Sequence, residues 1–132
     1  MTRTFMLDTD TVSDAMRGVA GITGRLLQYG RSRVCMSSLT LAELRFGASR
    51  RKSKRIHRLI DTFIGDIDVL PFDAAAAGRF GVVASSLADE GTPIGLMDTL
   101  IAAHALDQHL TLVTRNVKHY GKVPGLTVVS WI

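Results

Sequence analysis

The sequence predicts an α/β fold in which helices cover both faces of a central, mainly parallel sheet of four to five strands. Short apolar runs typical of buried strands alternate along the chain with longer segments of helical periodicity. The 132 residues suffice for one core, and the 46% hydrophobic fraction is ordinary for a packed globular protein. We therefore expect a three-layer α/β/α arrangement in a single domain that spans residues 1–132.

The first part of the chain predicts a strand, two helices and a second strand. TFML (4–7) is a short apolar run that ends in an acid. The segment from Thr11 to about Gly30 has helical spacing, and glycines divide it into two short helices. RVCMS (33–37) is strand-like, so we expect its cysteine, Cys35, to be buried and unreactive.

The middle of the chain is predicted to be helical and strongly basic. SLTLAELRFGA (38–48) has helical character, and we expect the basic segment after it to continue as helix to about Phe63 or Ile64. The residues between Glu43 and Asp61 include no acid. They include seven basic side chains that we expect to bind an RNA backbone: Arg45, Arg50, Arg51, Lys52, Lys54, Arg55 and Arg58. The alternative is a solvated helix face, because most charge runs only face water.

The rest of the chain continues the alternation of strands and helices. We expect three further strands, in IDVLPF (67–72), TLVT (111–114) and LTVVSWI (126–132). An Ala-rich helix that Asp73 can cap runs to Gly91, and another helix spans Leu96 to His109. His104 lies on this apolar helix, so we expect a core histidine there.

Charge, cysteine content and hydropathy exclude several protein classes. The formal net charge is +4, from 16 Lys and Arg against 12 Asp and Glu, which favours a polyanionic partner. A single cysteine excludes an internal disulfide and a cysteine-based zinc site. No apolar run approaches the ~18 residues of a membrane span, and the start of the chain does not resemble a signal peptide. We expect a soluble, cytoplasmic protein without a membrane partner.

Four polar side chains are predicted to meet at one edge of the sheet. Asp8 follows the first strand and Asn116 follows TLVT, while Glu43 and Asp98 lie early in their helices. In parallel α/β sheets, ligands bind beyond the carboxyl ends of the strands. Carboxylates gathered there suit a hard divalent cation such as Mg²⁺ or Mn²⁺, which supports phosphodiester hydrolysis.

Each of these residues also has a local structural explanation. Thr40 and Glu43 match a capping box, and Asp98 could be a helix N-cap or a first-turn acid. Asp8 and Asp10 could make Asx turns and cap the first helix. The asparagine that follows TLVT could simply form a turn. These local roles do not explain why several caps should be acidic and lie at one edge.

Five segments together resemble one known family. They are FMLDTD, SSLTLAELRFGA, GTPIGLMDTLIAAHA, LVTRNVKHY and VPGLTVVSW, and in this order they are similar to PIN-domain ribonucleases, specifically toxins of the VapC type. The resemblance implies a PIN-like fold and an Mg²⁺- or Mn²⁺-dependent RNA endonuclease. It also implies a homodimer, or a higher toxin–antitoxin assembly, that a cognate antitoxin protein silences.

The resemblance also implies roles for individual residues. Asp8, Glu43 and Asp98 would be the acidic metal ligands, with Asn116 at the fourth catalytic position. The supporting polar residues beside them would be Thr9, Asp10 and Thr114.

The chain departs from the family pattern in two places, the first motif and the fourth position. Asp10 stands where the family usually has Asn, and Asn116 stands where many relatives have an acid. His119 occupies a place where another acid often follows, and we expect it to be a surface or supporting residue because hard cations prefer oxygen. One metal site is therefore the prediction rather than two.

Other functions remain as alternatives. A non-catalytic module could hold nucleic acid with its basic helix while the acids serve as caps; metal-dependent cleavage separates the two. A phospho-acceptor receiver domain would need an acid directly after its third strand, whereas Asp73 follows Pro71 and Phe72. The glycines of GVAGITG match neither a dinucleotide nor a triphosphate loop.

Overall fold

A computed structural model describes residues 3–132 and contains one five-stranded sheet. The strand order is β3-β2-β1-β4-β5, and every neighbouring pair is parallel. The strands are β1 (Phe5–Leu7), β2 (Val34–Ser37), β3 (Asp68–Leu70), β4 (Thr111–Val113) and β5 (Val128–Val129). The predicted fold class and strand number are confirmed.

The helices alternate with the strands, as the sequence predicts. Within residues 3–132 they are α1 (Thr9–Met16), α2 (Ala20–Tyr29), α3 (Ser38–Arg50), α4 (Lys54–Asp66), α5 (Ala74–Asp89), α6 (Leu96–Asp107) and the short α7 (Val117–Tyr120). A 3₁₀ turn (Arg31–Arg33) precedes β2. No helix in the described part of the chain is long and apolar enough to cross a membrane.

Strand residues alternate between two hydrophobic cores, which produces the three layers. Met6, Cys35 and Leu112 point into a core that α5 and α6 cover. Leu7 and Val113 point the other way, into a core shared with α1, α2, α3 and α4. Because side chains alternate along a strand, neighbouring residues belong to different layers. Burial raises the pKa of the Cys35 thiol to about 12, which agrees with an unreactive cysteine.

The basic segment is not one continuous helix, so that expectation was wrong. Helix α3 ends at Arg50, Lys52 adopts a left-handed conformation with φ of 52°, and α4 begins at Lys54. The Ser53 hydroxyl accepts a hydrogen bond from the Ile56 amide at 3.0 Å and caps the new helix. The turn allows α4 to fold back and pack against α3. The basic side chains therefore lie on two helices.

Other boundaries differ from the expectations by a few residues. Helix α1 begins at Thr9 rather than Thr11, because Asp8 caps it. Strand β3 ends before Pro71, which has no amide hydrogen for the ladder, and β5 covers only two residues of the run 126–132. Helix α7 was not predicted. Asp73 caps α5 as expected, accepting a hydrogen bond from the Ala76 amide at 3.0 Å.

Candidate active site at the carboxyl edge of the sheet

Asp8 lies at the carboxyl end of the central strand and caps α1. Leu7 of β1 pairs with Val113 of β4, so the next residues, Asp8 and Thr114, lie at the same edge. The Asp8 carboxylate accepts a hydrogen bond from the Thr11 amide at 2.8 Å, and the residue is only 4% exposed. Burial raises the pKa of Asp8, while hydrogen bonds from Thr114 and Thr11 act in the opposite direction. Asp8 therefore has the expected capping role and also lies in the candidate site.

Glu43 faces the site from the second turn of α3. Its Oε1 accepts a hydrogen bond from the Thr9 hydroxyl at 2.5 Å. Burial raises the pKa of Glu43, the Thr9 hydrogen bond lowers it, and the nearby acids raise it further. The capping-box alternative was wrong, because α3 begins earlier: the Ser37 hydroxyl accepts a hydrogen bond from the Leu39 amide at 3.0 Å and is the cap. Glu43 therefore does not cap α3 and is available to the candidate site.

Asp98 lies in the first turn of α6 and contacts a histidine. The N-cap of α6 is Gly95, so the N-cap alternative for Asp98 was wrong and the first-turn alternative was right. The Asp98 Oδ2 lies 2.9 Å from the Nε2 of His119 on α7. His119 is partly buried, and it is a neighbour of a candidate ligand, as expected for a supporting residue.

The segment between β4 and α7 brings Thr114, Asn116 and Tyr120 to the same place. The buried Thr114 hydroxyl accepts a hydrogen bond from the Asn116 amide at 3.0 Å, and Asn116 itself is exposed. Tyr120 is buried, and burial together with the charge of Asp98 raises the pKa of its phenol above its usual range. Sequence reasoning missed Tyr120; the signal was an aromatic residue four positions after Asn116.

These side chains enclose one small pocket of about 130 Å³. Its lining contains six of the predicted site residues and one that was missed: Asp8, Thr9, Asp10, Glu43, Asp98, Asn116 and Tyr120. Thr114 is fully buried and does not line it. The predicted convergence at the sheet edge is therefore what the geometry shows.

The donor chemistry of the pocket fits a hard cation. Within residues 3–132, no three His, Cys, Asp or Glu side chains are close enough together to form a metal-binding group. The carboxylates instead surround the pocket, and like charge contributes to the raised pKa of both Asp8 and Glu43. A bound cation would favour their charged forms, and the oxygen donors that face the pocket are those that Mg²⁺ and Mn²⁺ prefer.

The basic side chains lie on α3, the turn and α4, and none of them lines the pocket. Arg45 is held by Asp61 at 2.5 Å and by the backbone carbonyl of His57 at 3.2 Å, so its charge is already paired. The other basic residues predicted to bind RNA are exposed to solvent: Arg50, Arg51, Lys52, Lys54, Arg55 and Arg58. Their exposure leaves them accessible to a large anion.

A larger groove of about 710 Å³ lies between α1, α3 and α4. Thr9 and Glu43 line both the pocket and the groove, so the two adjoin. The groove also has an apolar lining of Met16, Leu44, Ile56 and Leu59. Its basic lining residues are Arg17, Arg51 and Arg55. We call it the α1–α4 groove.

Comparison with known proteins identifies the family. A family model described as PIN domain matches residues 5–124, which is most of the chain. The chain belongs to the PIN-domain family. Its PIN domain is 34% identical over 128 residues to "tRNA(fMet)-specific endonuclease VapC" of Salmonella typhimurium, covering 96% of this chain and 97% of the relative. It is 32% identical over 130 residues to "Ribonuclease VapC2" of Haemophilus influenzae, covering 97% of this chain and 98% of that protein.

Solved structures agree with this PIN-domain assignment. The DNA-bound VapBC complex from Salmonella typhimurium has a chain that matches with a TM-score of 0.90 and 36% identity, covering 100% of both chains. A chain of the DNA-bound VapBC2 complex from Rickettsia felis matches with a TM-score of 0.89 and 30% identity, covering 97% of this chain and 98% of that one. The resemblance to VapC-type PIN domains is confirmed.

Proposed function

We propose that this chain is a metal-dependent RNA endonuclease and the toxin of a toxin–antitoxin pair, acting in the cytoplasm as a single PIN domain over residues 1–132. The observation that carries the proposal is the pocket at the sheet edge, which Asp8, Glu43 and Asp98 line together. It is supported by relatives named ribonuclease or endonuclease and by neighbours solved as VapBC complexes.

The acids would hold one divalent cation, Mg²⁺ or Mn²⁺. Asp8, Glu43 and Asp98 would supply carboxylate oxygens and Asn116 an amide oxygen. When bound, such a cation polarises a phosphoryl oxygen and lowers the pKa of a coordinated water. Each of these residues would act in catalysis by orienting the scissile phosphate and the attacking water at the pocket.

Neighbouring hydroxyls would hold the acids in position. Thr9 donates to Glu43, and the Thr11 amide donates to Asp8, which restrains both carboxylates; the nearby Thr114 hydroxyl lowers the pKa of Asp8. Asp10 is exposed and adds negative charge beside Asp8, so it would strengthen attraction for a cation. Thr9, Asp10 and Thr114 therefore have supporting roles in the proposal.

The exposed basic residues would hold the RNA backbone. They are Arg50, Arg51, Lys52, Lys54, Arg55 and Arg58, and they leave the acidic pocket free for the scissile phosphate. Arg45 contributes less direct contact because Asp61 already pairs it. We retain Arg45 among the predicted RNA-binding residues as part of the positive field.

The α1–α4 groove would receive the antitoxin. Its apolar lining fits a hydrophobic helix face, and its opening toward Glu43 would let an antitoxin Arg or Lys enter the acidic pocket. A homodimer, alone or within a toxin–antitoxin assembly, is also proposed. The exposed apolar side chains of Val82 on α5 and Leu96 on α6 offer a surface for a second copy.

The decisive experiment is cleavage of defined RNAs by the purified chain. Total RNA and tRNA(fMet), the substrate in the name of one relative, are incubated with Mg²⁺, Mn²⁺ or EDTA and the new ends are mapped. We expect cleavage with metal and none in EDTA. Asp98→Asn should abolish it, whereas Asp89→Asn, at the last residue of α5 and outside the pocket, should not.

Two outcomes would overturn the proposal. Equal cleavage in EDTA would remove the metal mechanism, because uncompensated carboxylates repel a phosphate. RNA binding with no cleavage under any metal condition would favour the non-catalytic binding module instead.

A further inference from the structure

Asp14 is a buried acid that the proposed chemistry does not use. It lies on α1, two turns from the pocket residue Asp8, and its side chain is only 5% exposed. A buried carboxylate is costly unless a cation or hydrogen bonds compensate it. Two arginines do so: Arg17 contacts Oδ1, and the Nε of Arg115 lies 3.0 Å from Oδ2.

Arg115 stands between two residues of the candidate site. It follows Thr114 and precedes Asn116 in the segment that joins β4 to α7. A terminal nitrogen of Arg115 also lies 3.9 Å from the Asp10 carboxylate, so acids one helical turn apart on α1 face the same guanidinium. The ion pairs thus connect α1 directly to the segment that carries Asn116.

Backbone hydrogen bonds hold the two ends of this segment: the Thr114 amide donates to the Val129 carbonyl, and the Asn116 carbonyl accepts from the first amides of the α7 turn. The Asn116 amide also donates to the Thr114 hydroxyl at 3.0 Å. In the described chain, side chains of residues 115–119 reach other elements through polar contacts at two positions, Arg115 with α1 and His119 with Asp98. Asn116 is exposed between them.

From this arrangement we infer that Asp14 is a positioning residue: through Arg115 it holds the β4–α7 segment so that Asn116 stays at the pocket. The inference rests on the proposed function, since it assigns Asn116 a place in that site. The Oδ2 contact is close in distance but is not a well-aligned hydrogen bond, so charge rather than hydrogen-bond geometry maintains it. A lysine at position 115 should therefore substitute in part for the arginine.

The test is a double-mutant cycle in cleavage, with Arg31→Gln as the matched control. Asp14→Asn and Arg115→Gln should each lower kcat by about tenfold with little change in KM, because a small displacement near reacting groups is costly. The double variant should be no worse than either single variant. Arg115→Lys should retain most activity, and Arg31→Gln, which removes one of the two arginines that pair a different carboxylate, Asp68 of β3, should leave kcat unchanged.

A second measurement does not depend on activity. In NMR spectra of isotope-labelled protein, Asp14→Asn and Arg115→Gln should each shift the Asn116 side-chain amide signals and speed hydrogen exchange at residues 115–117. Arg31→Gln should do neither. The Arg115 side chain is 48% exposed, so its replacement should not unfold the protein. Arg115→Gln therefore tests the positioning role even where Asp14→Asn destabilises the fold.

The outcomes distinguish the alternatives. If Arg115→Gln raises KM and flattens the salt dependence while Asp14→Asn changes nothing, Arg115 is a phosphate contact and the inference is wrong. Unchanged Asn116 side-chain signals in Asp14→Asn would also overturn it. If the wild-type chain cleaves no RNA, the proposed function fails, whereas the NMR measurement still decides whether Asp14 holds the segment.

Discussion

Replacing Asp8 by Asn and by Ala separates its helix-capping role from its proposed role as a metal ligand. The Asp8 carboxylate accepts the Thr11 amide hydrogen bond that begins α1, and it also lines the acidic pocket. Asn caps a helix about as well as Asp, whereas Ala cannot. A neutral amide is nevertheless a poor ligand for a hard cation, so both variants should lose cleavage.

The size of the stability difference follows from the cap. Loss of an N-cap costs about 1 kcal/mol, and a chain of 132 residues has an unfolding entropy near 0.28 kcal/mol/K at its midpoint. Asp8→Ala should therefore melt about 4 °C below Asp8→Asn. Because burial raises the pKa of Asp8, its charge opposes folding at neutral pH, so Asp8→Asn in EDTA should melt at or above the wild-type temperature.

Calorimetry with EDTA and with Mn²⁺, combined with RNA cleavage, provides the assay, and Asp73 provides the matched control. Asp73 caps α5 through the same kind of hydrogen bond but lies outside the pocket. Asp73→Ala should melt below Asp73→Asn by a similar amount, with both variants active. Wild-type cleavage by Asp8→Asn would refute the ligand role, and equal melting of the two Asp8 variants would refute the capping role.

Three further predictions address the second acid, the basic surface and the core histidine. Glu43→Gln should lower cleavage by on the order of a hundredfold yet raise the melting temperature in EDTA, because burial and nearby acids raise the pKa of Glu43; a lower melting temperature would contradict this. Neutralising Arg50, Arg51 and Arg55 should flatten the slope of log RNA affinity against log salt by about two units, and an unchanged slope would assign them to another role. The control triple variant neutralises Arg25, Arg79 and Lys122, which are exposed and line neither the pocket nor the α1–α4 groove. Burial holds the pKa of His104 below 6.5, so the native state favours the neutral ring and the free energy of unfolding should fall as pH drops below about 6.5. His104→Gln should reduce this slope between pH 7.5 and 5.5 in denaturant titrations.

The parts of the fold that could be predicted follow from burial. Parallel strands covered on both faces are continuous apolar runs, and those runs are visible in the sequence around Met6, Cys35 and Leu112. Because the carboxyl ends of parallel strands share one edge, the sequence alone predicts that Asp8 and Asn116 lie close together. The order of the strands depends on long-range pairing, for which no local pattern exists.

The errors also have physical causes. Thr40 and Ser37 are both good N-cap residues, and only the backbone shows that Ser37 is the N-cap of α3. The capping-box pattern at Glu43 was therefore misleading. The turn at Lys52 uses a left-handed conformation without glycine, which local propensity does not predict. The ion pair between Asp14 and Arg115 joins residues that are distant in sequence, so neither charge stood out among the others.

Capping and metal binding do not exclude one another at this sheet edge. Strands that end there are followed by helices whose N-termini carry partial positive charge, which favours carboxylates nearby and offsets some of their mutual repulsion. Asp8 caps α1, and Asp98 lies in the first turn of α6, so both use this field. The comparison of Asp8 with Asp73 shows what capping alone requires: Asp73 performs it while exposed to solvent. Asp8 is buried, its pKa is raised and other acids lie around it. Helix capping alone does not require a carboxylate in such an unfavourable environment. The excess cost at Asp8 is the physical reason to assign it a function beyond beginning a helix.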